Sequence, residues 1–191
     1  MRLRTMVAHE QQKLYTAEEF REIARLPENE GRRLELEEGE IVEMPASKPI
    51  STILAMRIGH FLNAFVIPRD LGYVTGADGG FKLGPGTVRQ PDAAFVSKGR
   101  APQIPAEFDF APDLAVEIVS GREDVWKKAN EYRRAGTRRV WAVYPDDQKV
   151  YVFRLNDDGS LNGQLFTLDA ALDGEDMLPG FVLPVRDIFS V

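Results

Sequence analysis

Two Pro-Asp steps, each leading into an apolar run, are the feature of this sequence best suited to chemistry. The first step ends at Asp92, ahead of residues 93–96; the second ends at Asp113, ahead of residues 114–119, which contain Glu117. If the two runs pair as neighbouring strands, Asp92 and Glu117 come within reach of one divalent cation, for which carboxylates are preferred ligands. The pattern therefore predicts a metal site.

Each of these carboxylates also has a structural interpretation. Glu117 lies among apolar residues, where an unpaired carboxylate is costly to bury. A metal ion removes that cost, and so does an arginine or a set of backbone donors. Asp92 follows a proline, and such an aspartate is a common turn residue that accepts hydrogen bonds from nearby backbone N–H groups. Both alternatives stay open for these two residues, whereas Asp113 is assigned to a turn because it precedes the strand.

The elements that must position these carboxylates follow from periodicity and turn residues. A capping box at Thr16 and a stop at Pro27 bound a first helix. The later predicted elements, in chain order, are a hairpin over residues 34–44, a helix from Ser47 or Pro49 with Ile53 on its buried face, strands at residues 71–75, 81–83, 88–96 and 114–119, a helix at residues 123–135, and a hairpin over residues 139–155. Residues 113–144 thus form a βαβ-like unit.

The composition fits one globular domain: 191 residues, of which 43% are hydrophobic. The absence of cysteine excludes disulfides and cysteine-ligated zinc. No membrane span is expected, because Arg57, His60 and Asn63 interrupt the apolar residues 50–67. Residues 1–10 also lack the apolar core of a signal peptide. A cytoplasmic protein is therefore the expectation.

Charge is unevenly distributed along the chain. The net charge is −6, which argues against a strong non-specific hold on nucleic acid. Residues 122–139 nevertheless carry seven basic and three acidic side chains, a local charge of +4 that leaves −10 elsewhere. Such a segment beside the carboxylates suits an enzyme that acts on phosphodiesters, with Lys127, Arg133 and Arg134 as candidate phosphate contacts. A solvated helix face is the alternative.

Five short segments resemble, in the right order, a known family. They read LELEEGEIVEMP, RQPDAAFV, PDLAVEIVS, DVWKKANEYRRAGTRRVWAVYP and LPGFVLPVRDIF. The chain is similar to the PD-(D/E)XK nuclease superfamily and, more narrowly, to the bacterial Uma-type family labelled "putative restriction endonucleases". The resemblance covers most of residues 16–191. It implies a single restriction-endonuclease-like domain over residues 16–191, preceded by a tail at residues 1–15.

The implied fold is of the mixed α/β (α+β) class, with a central mixed sheet flanked by helices. The resemblance also implies one or two Mg²⁺ (or Mn²⁺) ions held by Asp92, Glu117 and the backbone carbonyl of Ile118. A metal-activated water would then attack the phosphodiester, and the metal would stabilise the charge that develops on the phosphoryl oxygens.

The superfamily pattern places a lysine two residues after the glutamate, where this chain has Val119. In the narrower family a lysine on the following helix is thought to substitute. Residues 125, 129 and 132 form a buried helical stripe, which Lys128 flanks and from which Lys127 points away. Lys128 is therefore the catalytic candidate. An Asp124–Lys128 surface pair is the structural alternative.

Other departures concern the acidic hairpin and two loops. Glu35 is a further acidic candidate near the metal, although its glutamate neighbours also fit a solvated acidic turn. The loop at residues 120–124 is shorter than is common in the family, and Ser120 is expected to cap the next helix. The family's early histidine is absent, and Lys48-Pro49 occupies that region.

These features lead to a metal-dependent DNA endonuclease that uses Asp92, Glu117 and Lys128. A homodimer is expected, because cutting both strands of a duplex calls for two active sites. The rival interpretation is a family member that has lost its chemistry and serves as a DNA-binding or protein-interaction module. A metal-dependent hydrolase of small phosphoesters is a third possibility.

Overall fold

The computed structural model describes residues 13–121, 124–156 and 158–190. Its helices are α1 (Ala17–Ala24), α2 (Pro49–Val66), α3 (Val125–Arg134) and α4 (Val185–Phe189). Its strands are β1 (Leu34–Glu37), β2 (Glu40–Glu43), β3 (Gly72–Gly76), β4 (Phe81–Gly84), β5 (Thr87–Arg89), β6 (Ala93–Ser97), β7 (Leu114–Ile118), β8 (Arg139–Tyr144), β9 (Lys149–Leu155), β10 (Leu161–Phe166), β11 (Ala171–Asp173) and β12 (Val182–Pro184). Most of the tail predicted at residues 1–15 lies outside the described residues.

A six-stranded mixed sheet has the order β10-β9-β8-β7-β6-β3. The pair β7 and β8 is parallel, and the other neighbouring pairs are antiparallel. A parallel pair needs a crossover connection, which α3 provides. Gly136, with φ of +92°, ends this crossover helix in a conformation that glycine adopts without strain. The predicted βαβ unit is confirmed.

Helix α2 covers one face of this sheet. Its inward side chains Leu54, Ile58, Leu62 and Val66 are fully buried. Ile53 is half exposed, so its predicted place on the buried face is wrong: the helix is apolar on more of its circumference than the sheet can cover. Within the described residues, Pro49–Arg69 is the one helical segment long and apolar enough to cross a membrane by length and composition. Its inner face lies in the protein core instead.

Helix α3 covers the opposite face. Val125, Ala129 and Tyr132 pack there against strand residues that include Ala115 and Ala142. With helices on both sides of a mixed sheet, the predicted mixed α/β class is confirmed. The buried stripe predicted for α3 is also present, because these three residues recur at helical spacing.

A second sheet has four antiparallel strands in the order β2-β1-β5-β4. Helix α1 packs on it through Ala17 and Phe20, against Leu36 and Val88. The predicted capping box is present, because Thr16 and Glu19 exchange side-chain and backbone hydrogen bonds.

The single strand predicted at residues 88–96 is wrong. The chain leaves the four-stranded sheet at Arg89 and enters the six-stranded sheet at Ala93. Pro91 lacks an N–H group, so it cannot donate to a continuous strand ladder, and the chain bends here. Asp92 therefore lies in the short connection between the two sheets.

Candidate functional site

The beginning of β6 and the end of β7 meet at one small cavity. Ala93 pairs with Val116 across the antiparallel strands, and continuing this register by one residue sets Asp92 opposite Glu117. Directly opposite residues of such a pair turn their side chains to the same face. Both carboxylates line a cavity of about 40 Å³, which has room for a few water molecules.

Asp92 is attached to the end of β7 by a side-chain contact. Its Oδ2 accepts a hydrogen bond from the backbone N–H of Ile118, with a distance of 2.7 Å between the two heavy atoms. This bond lies beyond the last backbone-paired residues of β6 and β7, so the side chain continues the pairing. A carboxylate oxygen has further acceptor capacity, and this bond leaves Asp92 able to bind a cation as well.

Glu117 is buried on the α3 side of the sheet and only 5% exposed. The hydroxyl of Tyr132 donates to its Oε1 at 2.8 Å, and Lys128 Nζ donates to its Oε2 at 3.1 Å. Burial raises the pKa of Glu117 to about 7; the Lys128 ammonium opposes this rise, and the charges of Glu35 and Asp92 add to it. The carboxylates thus repel one another, and a bound cation would relieve that repulsion.

The two lysines of α3 have different partners. Lys128, with 13% of its side chain exposed, contacts Glu117, whereas the more exposed Lys127 forms an ion pair with Glu37. Asp124 caps α3 through a 3.0 Å hydrogen bond from the backbone N–H of Lys127. The predicted cap at Ser120 is therefore wrong, and Ser120 lines the cavity instead.

Glu35 lies at the cavity within a buried ion-pair network. Its Oε2 is 2.8 Å from Arg89 Nη1, and its Oε1 accepts a 2.8 Å hydrogen bond from the backbone N–H of Gln90. Arg89 also contacts Glu131 of α3 at 2.7 Å. Burial opposes the positive charge of Arg89. The carboxylates of Glu35 and Glu131 nevertheless hold the pKa of Arg89 above its usual value. Glu35 therefore holds β5 against β1 next to the metal-ligand candidates, rather than lying in a solvated acidic turn.

The other candidates lie outside the cavity lining. Arg133 donates to the carbonyl of Gly159, Arg134 is exposed, and Lys127 has the acidic partner described above. Asp113 is buried and accepts hydrogen bonds from Ser97 N at 2.7 Å and from Arg100. It thus ties the end of β6 to the start of β7.

Tyr132, Arg89 and Gln90 were not predicted as site residues. A signal for Tyr132 existed, because a tyrosine on a buried helical stripe needs a partner for its hydroxyl. Arg89 and Gln90 immediately precede the Pro-Asp step, yet their partner Glu35 is 54 and 55 residues away in sequence. That pairing depends on which sheets come together, and no local pattern encodes it.

The donor set suits a hard divalent cation. Among residues 13–121, 124–156 and 158–190, no group of three or more His, Cys, Asp or Glu side chains is arranged as a metal site. Three carboxylates line the cavity, together with Ile118. Glu35 is paired with Arg89, which leaves Asp92 and Glu117 as the candidate ligands. Mg²⁺ normally uses one or two carboxylates and keeps several waters, so these residues fit such an ion.

The chain belongs to the Uma2 family, which is described as "Putative restriction endonuclease". The family model matches residues 17–186, nearly the whole of the described chain. The family assignment made from the five segments is thus confirmed. None of the curated proteins matches this chain.

A solved structure shares the fold. It is described as the crystal structure of a putative nuclease belonging to DUF820 from Anabaena variabilis ATCC 29413. The two chains are 24% identical, with a TM-score of 0.77, and the match covers 89% of this chain and 96% of the other. This likeness establishes the common architecture.

Proposed function

We propose that this protein is a metal-dependent DNA endonuclease of the PD-(D/E)XK type. The observation that carries the proposal is the convergence of Asp92, Glu117 and Lys128 on one cavity, from the residue before β6, from β7 and from α3. The family description and the nuclease named in the similar structure support the reaction class.

Asp92, Glu117 and the carbonyl of Ile118 would hold Mg²⁺ or Mn²⁺. When bound, the ion supplies an activated water and stabilises the charge that develops on the phosphoryl oxygens. Tyr132 fixes the rotamer of Glu117 through its hydroxyl, and the N–H of Ile118 does the same for Asp92. These hydrogen bonds position the carboxylates before any ion arrives.

Lys128 takes the role that the superfamily gives to a lysine at the position of Val119. Its Nζ lies 3.1 Å from Glu117 Oε2, at the wall of the same cavity. From there its ammonium can orient the attacking water beside the carboxylates, and as the neutral amine it could deprotonate that water.

The substrate in this proposal is DNA, bound by a homodimer in the cytoplasm. Lys127, Arg133 and Arg134 of α3 would contact phosphates that flank the cavity, and Lys127 would exchange its partner Glu37 for a phosphate. Two active sites, one from each protomer, would cut the two strands.

Cleavage of supercoiled plasmid by the purified protein tests the proposal. With Mn²⁺ or Mg²⁺, we expect nicked and linear products from the wild type and from Asp173→Asn, which removes an exposed carboxylate of β11. Glu117→Ala should be inactive. Undiminished metal-dependent cleavage by Glu117→Ala would refute the site assignment.

A second candidate function is a DNA-binding module without catalysis. It is favoured by Val119 in the usual lysine position and by the small donor set at the cavity. Calorimetric titration with Mn²⁺ separates the two. Uptake that Asp92→Asn abolishes supports the endonuclease, and absence of uptake by the wild type supports the module.

A further inference from the structure

Two consecutive arginines have different environments. Arg32 is 45% exposed and bonds both oxygens of Glu43, at 2.6 and 3.2 Å. Arg33 turns to the cavity and donates through Nη1 to Ser47 Oγ at 2.5 Å. Among the described residues it forms no ion pair, although the cavity also contains acidic side chains. Its charge is therefore available to a ligand.

Two polar atoms on this side of the cavity are buried without a hydrogen-bond partner in the described part of the chain. They are Nε of Arg33 and Oγ of Ser51, and Ser51 is only 4% exposed. Buried polar atoms nearly always have a partner, because leaving one unsatisfied costs free energy. Both residues line the cavity that contains Asp92 and Glu117, so a ligand or solvent there can satisfy them.

The same wall includes the beginning of α2. Helix α2 has 18 residues, starts at Pro49 and has no side-chain cap at Lys48. The first turn of a helix has a partial positive charge, which favours an anion. In α2 this charge acts without free N–H groups at Pro49 and Ser51, because Pro49 has none and the N–H of Ser51 donates to the carbonyl of Lys48. Ser51 lies in this turn. An arginine fork, two serine hydroxyls and a helix N-terminus therefore converge beside the carboxylates.

We propose that Arg33, Ser47 and Ser51 bind the non-bridging oxygens of a DNA phosphate next to Asp92 and Glu117. The inference rests on the proposed nuclease function and identifies the residues that hold the scissile phosphate against the metal. The cavity has room for a few water-sized groups, so it admits phosphate oxygens while sugar and base stay outside. Arginine suits this role because its planar fork matches two phosphate oxygens.

The test measures the affinity for a short fluorescent DNA duplex by anisotropy, with Ca²⁺ replacing Mg²⁺, over a series of salt concentrations. Arg33→Ala should bind about tenfold or more weakly, because it loses a charged hydrogen-bond donor. Its plot of log affinity against log salt should be shallower by about 0.9, the value for one phosphate contact. Arg32→Ala is the matched control and should behave as the wild type. Ser51→Ala should bind about threefold more weakly.

An Arg33→Ala variant with the affinity and salt slope of Arg32→Ala overturns the proposal. If Arg33→Ala does not fold, Arg33→Lys is compared with Arg32→Lys, and equal affinities then overturn it. The plasmid assay keeps this failure apart from failure of the nuclease. If Arg33→Ala leaves cleavage unaffected, the phosphate site is refuted and the proposed nuclease function stands. If DNA binding depends on Arg33 but the wild type does not cleave, the phosphate site stands and the nuclease function is refuted.

Discussion

Glu117 is the residue at which burial and charge act most strongly against each other. It lies in a strand whose residues are all buried, and its pKa is raised to about 7. Tyr132 and Lys128 stabilise its ionised form, while Asp92 and Glu35 destabilise it. The carboxylate is therefore fixed in position, and its negative charge is only partly compensated by neighbouring groups. Both properties suit a cation ligand.

In protein without divalent cations, we expect the free energy of unfolding to fall as the pH rises from about 4.5 to about 7. The folded pKa of Glu117 lies above its ordinary value of 4.5, so the folded state binds more protons in this window. The contribution of protonated Glu117 to stability is fully present below pH 4.5 and is lost as Glu117 ionises. The loss is on the order of 3 kcal/mol. Urea unfolding in EDTA at several pH values measures it. Glu117→Gln should remove this part of the pH dependence, and an unchanged slope in that variant would contradict the assignment.

Adjacent lysines of α3 allow a matched comparison. Lys128→Ala should lower the cleavage rate by about a hundredfold or more, because the ammonium beside Glu117 can no longer act on the water. Lys127→Ala should leave the rate at saturating DNA near that of the wild type and raise KM, since Lys127 lies away from the cavity. Single-turnover cleavage with varied DNA concentration separates the two effects. Equal losses of rate in both variants would show that the lysines contribute only to the positive charge of α3, and that Lys128 has no specific role at the attacking water.

At the scale of elements, Arg89 connects three parts of the fold. From β5 it bonds Glu35 of β1 and Glu131 of α3, with 3% of its side chain exposed. Because α3 also supplies Lys128 and Tyr132, this network fixes the helix against the second sheet. The relative placement of the two sheets at the cavity thus depends on one buried guanidinium.

Arg89→Ala should destabilise the protein by about 3–5 kcal/mol, because it leaves the buried Glu35 and the partly buried Glu131 without their cation. Arg32→Ala removes a surface ion pair and should cost less than about 1 kcal/mol. Urea unfolding at neutral pH measures both. A cost for Arg89→Ala as small as that of Arg32→Ala would mean that the network adds little to stability.

Local patterns predicted the type and order of most elements, because capping residues, turns and apolar periodicity are encoded in short segments. They failed at residues 88–96, where two strands of different sheets are joined by three residues. Sequence alone does not indicate which sheet a strand enters. The family resemblance pointed to Glu35 as a residue near the site. Its partners Arg89 and Gln90 could not be predicted, because the pairing between strands is not encoded locally.

At the scale of the whole molecule, the candidate site sits where the two sheets, α2 and α3 come together. If the protein acts on DNA, a net charge of −6 with a basic segment on α3 would favour approach of the duplex to that side of the protein. The described residues of one chain form one cavity that contains this carboxylate pair. An endonuclease that cuts both strands at one position would therefore need a second copy.

If the protein acts as a homodimer, mixing wild type with an excess of Glu117→Ala should shift the plasmid products from linear to nicked. Mixed dimers would contain one active cavity and cut one strand. The ratio of nicked to linear DNA on a gel measures this. If the excess of Glu117→Ala leaves that ratio unchanged, each copy cuts independently.

Three of the four residues from Arg89 to Asp92 form side-chain or backbone hydrogen bonds with partners far along the chain. Asp92 bonds a residue 26 positions later, Arg89 one 42 positions later, and Gln90 one 55 positions earlier. The cavity consequently cannot be complete early in synthesis on the ribosome. A growing chain that has not yet emerged beyond α3 lacks Lys128, Glu131 and Tyr132, so its carboxylates have neither their lysine nor their tyrosine. Any ability to cut DNA would therefore arise only after α3, which ends at Arg134 of the 191 residues, has left the ribosome.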